Sequence, residues 1–231
     1  VSPHTLNPLT MKSIPYDPLK DLAHVILLGT STTSITVHPT VATTLSDLIK
    51  RVRALPGKYS YGSTGQGGII HLAGELFKMK AGGLDIVHVP YKGSGAGLND
   101  IIGGQIPIML MALGTAMPHH RAGKLRALAA FSEQRSPVAP EIPTIAEYGI
   151  PGAVAYSCVL LSGPAATPKR VIDQLYQAMQ RLVSDETFQR DLLSAGFDPV
   201  LDSNPQRAAL FIKDELAKWG PIVKATGVSA D

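Results

Sequence analysis

The sequence predicts an α/β protein, and three observations carry that expectation. From Lys58 to Phe131, short apolar runs alternate with amphipathic segments in the order strand, loop, helix. Two Gly- and Ser-rich loops, one from Tyr61 to Gly68 and one from Tyr91 to Gly97, each lead out of such a run into a helical pattern. Finally, 231 residues that are 45% hydrophobic and 17% charged suffice for one large domain or two smaller ones, each with a substantial core. Alternation of this kind implies a parallel or mixed sheet with helices on both faces.

The elements follow in order. Val1 to Asp21 is interrupted by Pro3, Pro8, Pro15 and Pro18 and predicts irregular chain. The runs Val25 to Leu28 and Ser34 to Val37 read as extended strand. Thr44 to Ala54 reads as a helix, because Leu45, Leu48, Ile49 and Val52 share one face and Pro56-Gly57 closes it. A strand at Lys58 to Tyr61, a helix at Ile69 to Met79 and a strand at Asp85 to Val89 come next. They are followed by a short helix at Leu98 to Ile102, a strand at Ile106 to Met111, a helix at Thr115 to Ala122 and a strand at Leu125 to Phe131. Pro137, Pro140, Pro143 and Pro151 mark a boundary, after which Ala153 to Leu161 is another apolar strand. Three helices close the chain, at Pro168 to Val183, Glu186 to Ala195 and Pro205 to Lys224. Thr167-Pro168 and Asn204-Pro205 read as an N-cap followed by proline at the first helical position. Their apolar stripes (Val171, Ile172, Leu175, Met179 and Leu182; Leu210, Ile212, Leu216 and Trp219) need something to pack against.

Several function classes fall away. A net charge of +3 from 21 basic and 18 acidic residues, with no long like-charge block, argues against a nucleic-acid partner. The single cysteine, Cys158, excludes an intrachain disulfide and CxxC chemistry, and its apolar neighbours Val159-Leu160-Leu161 predict a core position. No 18-residue apolar stretch is available to span a membrane. The sequence starts without Met and without a signal peptide, which reads as processing or truncation.

The two loops carry the chemistry. A glycine-rich turn into a helix start exposes backbone N–H groups where the helix dipole favours an anion. In the first loop, Ser63 and Thr64 add hydroxyl donors to the amides of Gly65, Gly67 and Gly68, and His71 falls in the first turn of the following helix. In the second, Tyr91, Lys92, Gly93 and Ser94 lie on the neighbouring strand exit. The dinucleotide fingerprint is incomplete, since Ile70 stands where the third glycine of GxGxxG belongs, and no Gly-Lys-Ser/Thr P-loop occurs. Neither Ser63 nor Ser94 sits in a GxSxG elbow. The histidines at 4, 24, 38, 71, 88, 119 and 120 form no metal-ligand spacing, and no carboxylate pair suggests acid–base catalysis. A turn requirement alone would account for some of these glycines, but the four glycines of the first loop together with its two hydroxyls point to an anion.

With these residues in hand, the chain resembles the substrate-binding proteins of tripartite tricarboxylate transporters, the Bug family. The likeness runs through Tyr16-Asp17-Pro18, Tyr61-Gly62-Ser63 to Gly68 with His71-Leu72, and His88-Val89-Pro90-Tyr91-Lys92-Gly93. It continues through Asn99-Asp100, Gly103-Gly104-Gln105, Gly123 to Ala129, Arg135, Ile142 to Glu147, Gly163-Pro164-Ala165 and Trp219. The resemblance implies a periplasmic-binding-protein-like fold, with two α/β lobes joined by crossover strands and a ligand cleft between them. By analogy the middle lobe is 33–155, and 1–32 plus 156–231 form the flanking lobe. Such proteins usually begin with about seventy further residues, for which this sequence has no counterpart.

The resulting expectation is a non-catalytic, periplasmic receptor. It would capture a small carboxylate (a di- or tricarboxylate, aromatic acid or acidic amino acid) through Ser63, Thr64, Gly65, Gly67, Gly68, His71, Tyr91, Lys92, Gly93 and Ser94, and deliver it to a membrane permease. No cofactor and no metal are expected. The alternative is a Rossmann-type enzyme holding a nucleotide or phosphate ester in the same loops, and a third reading is an interaction domain that has lost binding.

Overall fold

A computed structural model describes residues 2–230, with side chains from His4 onward. Contacts divide the chain into two units: Ser31–Tyr156 forms one, and the residues up to Thr30 together with those from Ser157 onward form the other. The chain passes between them within β1 (Leu22–Val37) and again at the start of β6 (Tyr156–Pro164).

The Ser31–Tyr156 unit follows the predicted alternation. Its elements are α3 (Leu45–Ala54), β2 (Tyr59–Ser63), α4 (Ile69–Lys80), β3 (Ile86–Pro90), α5 (Ser94–Ile102), β4 (Ile108–Ala112), α6 (Leu113–Arg121) and β5 (Arg126–Ala130). Its sheet runs β3-β2-β4-β1-β5. β2 is parallel to β3 and β4, whereas β1 is antiparallel to β4 and β5 with Thr33 opposite Ala112. The C-terminal ends of β2, β3 and β4 therefore share one edge, and each opens into a helix. The sheet is held by the β4 side chains Met109 and Met111 packed with Ile101, Ile106, Ala116 and Leu125, all at most 2% exposed. Thr44 caps α3 by accepting from the Asp47 amide at 3.1 Å, as Ser/Thr N-caps do.

One boundary differs in a way that matters for the site. The second short helix starts at Ser94 rather than Leu98, so Ser94 to Gly97 form its first turn. Gly-Ala-Gly has poor helix propensity, but packing requires its second glycine: a Cβ at Gly97 would run into Met109. Tertiary contact overrides local preference here.

In the other unit, β6 and β7 (Asp198–Pro199) pair with β1, β7 in antiparallel register at Gly29 and Thr30. Val25, Ile26 and Leu28 pack with Ile172 and Val183 of α7 (Lys169–Val183). α8 (Glu186–Ser194) is capped by Asp185, whose carboxylate accepts from Thr187 and Phe188, and α9 (Pro205–Thr226) by Asn204. Trp219 of α9 is wholly buried and donates to Glu215 at 2.9 Å; Glu215 also pairs with Lys218.

Three expectations are corrected in this unit. The opening segment is not wholly irregular: α1 (Ser2–Thr5) and α2 (Asn7–Thr10) pack on α9. Pro8 sits in the first turn of α2, where its missing N–H has no intrahelical acceptor to lose. Thr167 does not cap α7, because Pro168 itself occupies that position and the helix begins at Lys169. Cys158 is half-buried rather than core, on a strand with no fully buried position, and burial still pushes its thiol up to about 11. The stripes are only partly covered: Ile172 and Ile212 are buried, while Val171, Leu175, Leu182 and Leu210 are exposed, Leu210 at 53%. No helix among the described residues is long and apolar enough to cross a membrane.

Candidate functional site

The site assembles at the shared strand edge of the Ser31–Tyr156 unit. Register places Ser63, the last residue of β2, opposite Pro90, the last of β3, and the Tyr91 amide donates to the Ser63 carbonyl at 2.9 Å. The two predicted loops are thus neighbours tied by a backbone bond. Ser63 to Gly68 lead into α4, and Tyr91 to Gly93 lead into α5.

Neither helix is capped by a side chain, since Gly68 is the N-cap of α4 and Gly93 that of α5. The first amides of a helix have no intrahelical acceptor. Those of Ile69, Ile70 and His71 therefore face the loop edge unsatisfied by the helix, and those at the start of α5 do likewise. Gly68 has φ −81° and ψ 171°, and a Cβ built there meets no atom within 4 Å. The space before this helix start is open. Gly67, by contrast, has φ +72°, the left-handed region that glycine alone enters without strain.

Other predicted donors turn inward. Ser63 is 0% exposed; its hydroxyl lies 2.7 Å from His88 Nε2, donates to the Gly65 carbonyl at 3.0 Å and accepts from the Gly65 amide at 3.3 Å. The Gly67 amide donates to His71 Nδ1 at 3.1 Å. His71 is 4% exposed and stacks on His88, with ring centroids 3.7 Å apart and planes 9° from parallel. Ser63, Gly65, Gly67 and His71 thus hold the loop's shape, while Gly68 and the helix-start amides remain on its open side and Thr64 is half-buried beside them. Sequence reasoning quoted His88 but gave it no role, because its contact with Ser63 exists only through the β2–β3 register.

Electrostatics follow from burial. Burial pushes both histidines below their ordinary 6.5, His88 to about 4, with the His71 ring adding to the shift on His88. Beneath them, the Tyr61 hydroxyl donates to Glu75 at 2.7 Å, and Glu75 pairs with Lys78. On the second loop Tyr91 is half-buried and donates to Asp100 at 2.8 Å; burial, then that bond, pushes its hydroxyl up to about 12. Tyr91 packs against the Met109 cluster, and Lys92 is exposed. Among the described residues no group of three His, Cys, Asp or Glu side chains could hold a metal. A pocket of about 580 Å³ lined by Lys50, Arg53, Lys80, Ile49 and Ile150 lies at the other end of α4, where Arg53 donates to the Ala81 carbonyl at 2.8 Å.

Two uncapped helix starts therefore lie side by side on adjacent parallel strands of an α/β unit, the geometry of an anion-binding edge. Residues 1–228 match the family described as tripartite tricarboxylate transporter family receptor, and the chain belongs to that family. It is 32% identical over 218 residues to the BugT protein of Bordetella pertussis, covering 94% of this chain and 66% of that one. It is 31% identical over 223 residues to a UPF0065 protein from the gbd 5′ region of Cupriavidus necator, with 96% and 67% coverage. Among solved structures, a periplasmic transporter superposes with a TM-score of 0.84 at 35% identity, covering all of this chain and 77% of that one. R. palustris Rpa4515 with adipate gives 0.85 at 29% identity, with 99% and 76% coverage. The chain spans about two thirds of the length of the curated relatives it matches. Its fold is that of periplasmic binding proteins of this type, and the family is one of transport receptors, not enzymes. These matches give the Rossmann alternative no support, and the antiparallel β1 between β4 and β5 is foreign to an all-parallel nucleotide-binding sheet.

Proposed function

We propose that the chain belongs to an extracytoplasmic receptor that captures a small carboxylate without catalysis and passes it to a membrane permease of the tripartite tricarboxylate type. The observation that carries this reading is the pair of uncapped helix starts, α4 and α5, tied side by side through Tyr91 and Ser63. Their amides, with Thr64 and Gly68, receive one carboxylate; Tyr91, Lys92, Gly93 and Ser94 bound the other side. Ser63, Gly65, Gly67 and His71 support the loop from beneath. The adipate in Rpa4515 makes a dicarboxylate the first ligand to try, and the likeness to a periplasmic transporter at 35% identity supports a periplasmic site of action.

Hydrogen bonds to a charged group contribute about 1.5–3 kcal/mol each. Three or four of them support micromolar affinity once association costs are met. The test is thermal unfolding across di- and tricarboxylates, aromatic acids and acidic amino acids. At a free concentration about 100 times the dissociation constant, stabilisation is about 2.7 kcal/mol. For a chain of this size that raises the melting temperature by about 5–10 °C. A flat response to every acid overturns the reading.

A further inference from the structure

We propose that the stacked pair His71–His88 positions the first loop for carboxylate capture: His88 holds Ser63, and the bare Nδ1 of His71 holds the Gly67 amide, so that protonation of His71 releases that end of the loop and weakens binding. The inference rests on the capture reading above and assigns a function to two buried rings beneath it.

The geometry sets the requirement. A nitrogen that accepts from a backbone N–H cannot itself carry a proton. The 3.1 Å bond from Gly67 to His71 Nδ1 therefore exists only while that ring is neutral with its proton on Nε2. Protonation puts two donors face to face and removes the one side-chain acceptor that holds Gly67 in its left-handed conformation. His88 fastens the opposite end of the same loop, because its Nε2 lies 2.7 Å from the Ser63 hydroxyl that also bonds both polar groups of Gly65. The rings stack nearly parallel at 3.7 Å, so each fixes the plane of the other and a charge on one opposes a charge on the other.

The groups facing the pair act in both directions. From α4, Glu75 favours a charged ring and Lys78 disfavours it. From β2, the Tyr61 hydroxyl donates to Glu75 and contacts the His71 carbonyl, with its ring 4.9 Å from His88. Burial outweighs these charges and keeps both rings neutral at pH 7, with titration below the ordinary 6.5. Binding is therefore full at neutral pH and falls as the medium acidifies.

The experiment uses the whole chain with adipate as probe. His71→Asn offers a side-chain oxygen where Nδ1 stood and cannot be protonated; His71→Leu keeps the bulk and offers no acceptor. Calorimetry from about pH 7.5 to about pH 5 is read as the ratio of dissociation constants, wild type over His71→Asn, which cancels the protonation of adipate itself. The ratio is expected to rise toward acid, approaching tenfold per pH unit below the pH at which His71 takes its proton. His71→Leu is expected to bind about tenfold or more weakly at every pH. In the same range the Gly67 amide resonance of unliganded wild type should move with a midpoint below 6.5, and that of His71→Asn should stay still. A constant ratio, an unmoved Gly67 resonance, or wild-type affinity in His71→Leu overturns the inference. If wild type ignores adipate at every pH, the capture reading fails for this acid and the Gly67 titration alone decides. Should His71→Leu not fold, His71→Asn and the Gly67 resonance carry the test.

Discussion

Replacing Gly68 by valine is expected to weaken dicarboxylate binding by about a hundredfold or more while leaving the Ser31–Tyr156 unit folded. The backbone at Gly68 is extended, with φ −81° and ψ 171°, so any residue type adopts it. A Cβ there meets nothing within 4 Å, so no packing is lost. The stability cost is that of an unfavourable N-cap, about 1 kcal/mol. An N-cap side chain, however, reaches the second and third amides of the helix. The valine methyls would therefore cover Ile70 and His71 N–H, where the carboxylate is proposed to sit. Losing two hydrogen bonds to a charged group removes about 3–6 kcal/mol, and each 1.4 kcal/mol is about tenfold in affinity. Calorimetry with adipate beside a thermal melt separates the effects. Unchanged affinity in a folded variant would place the ligand elsewhere.

The largest expected effect on stability lies in the other unit. Trp219→Ala is expected to destabilise the protein by about 3–5 kcal/mol, as deletion of a wholly buried tryptophan does. It also strips the 3% exposed Glu215 of its indole donor, leaving Lys218 as partner. Trp219→Phe retains most of the volume and loses only the hydrogen bond, so its loss should be about 1–3 kcal/mol. Because the chain has a single tryptophan, urea unfolding is followed by circular dichroism rather than fluorescence. A loss under about 1 kcal/mol for the alanine variant would show that the residues around Trp219 collapse into the cavity.

Much of this was legible in the sequence, for identifiable reasons. The strand–loop–helix alternation follows from apolar periodicity, which also gives the helix start at Ile69 and, to within one residue, the one at Leu45. Asn204-Pro205 marked the start of α9 because both N-cap and first-turn preferences coincide there. What stayed hidden depends on residues far apart in the chain. Ser63 reads as an outward donor until pairing of Tyr61 with His88 brings the imidazole to its hydroxyl. The start of α5 was placed four residues late because Gly97 looks like a helix breaker until Met109 shows why no larger side chain fits. On α7, Val171 and Leu175 share the apolar arc of Ile172, and one helix turn gives no sign of which edge of that arc is covered.

The central claim is that amides at two neighbouring helix starts receive one carboxylate. Its most direct test is a titration of the isotopically labelled chain with adipate, following backbone amide resonances. The amides of Gly68, Ile69 and Ile70 should move together with those of Ser94 and Gly95, and saturate at one ligand per chain. Movement confined to residues around Lys50, Arg53 and Lys80 at the far end of α4, or no movement at the two helix starts at saturating ligand, would contradict it.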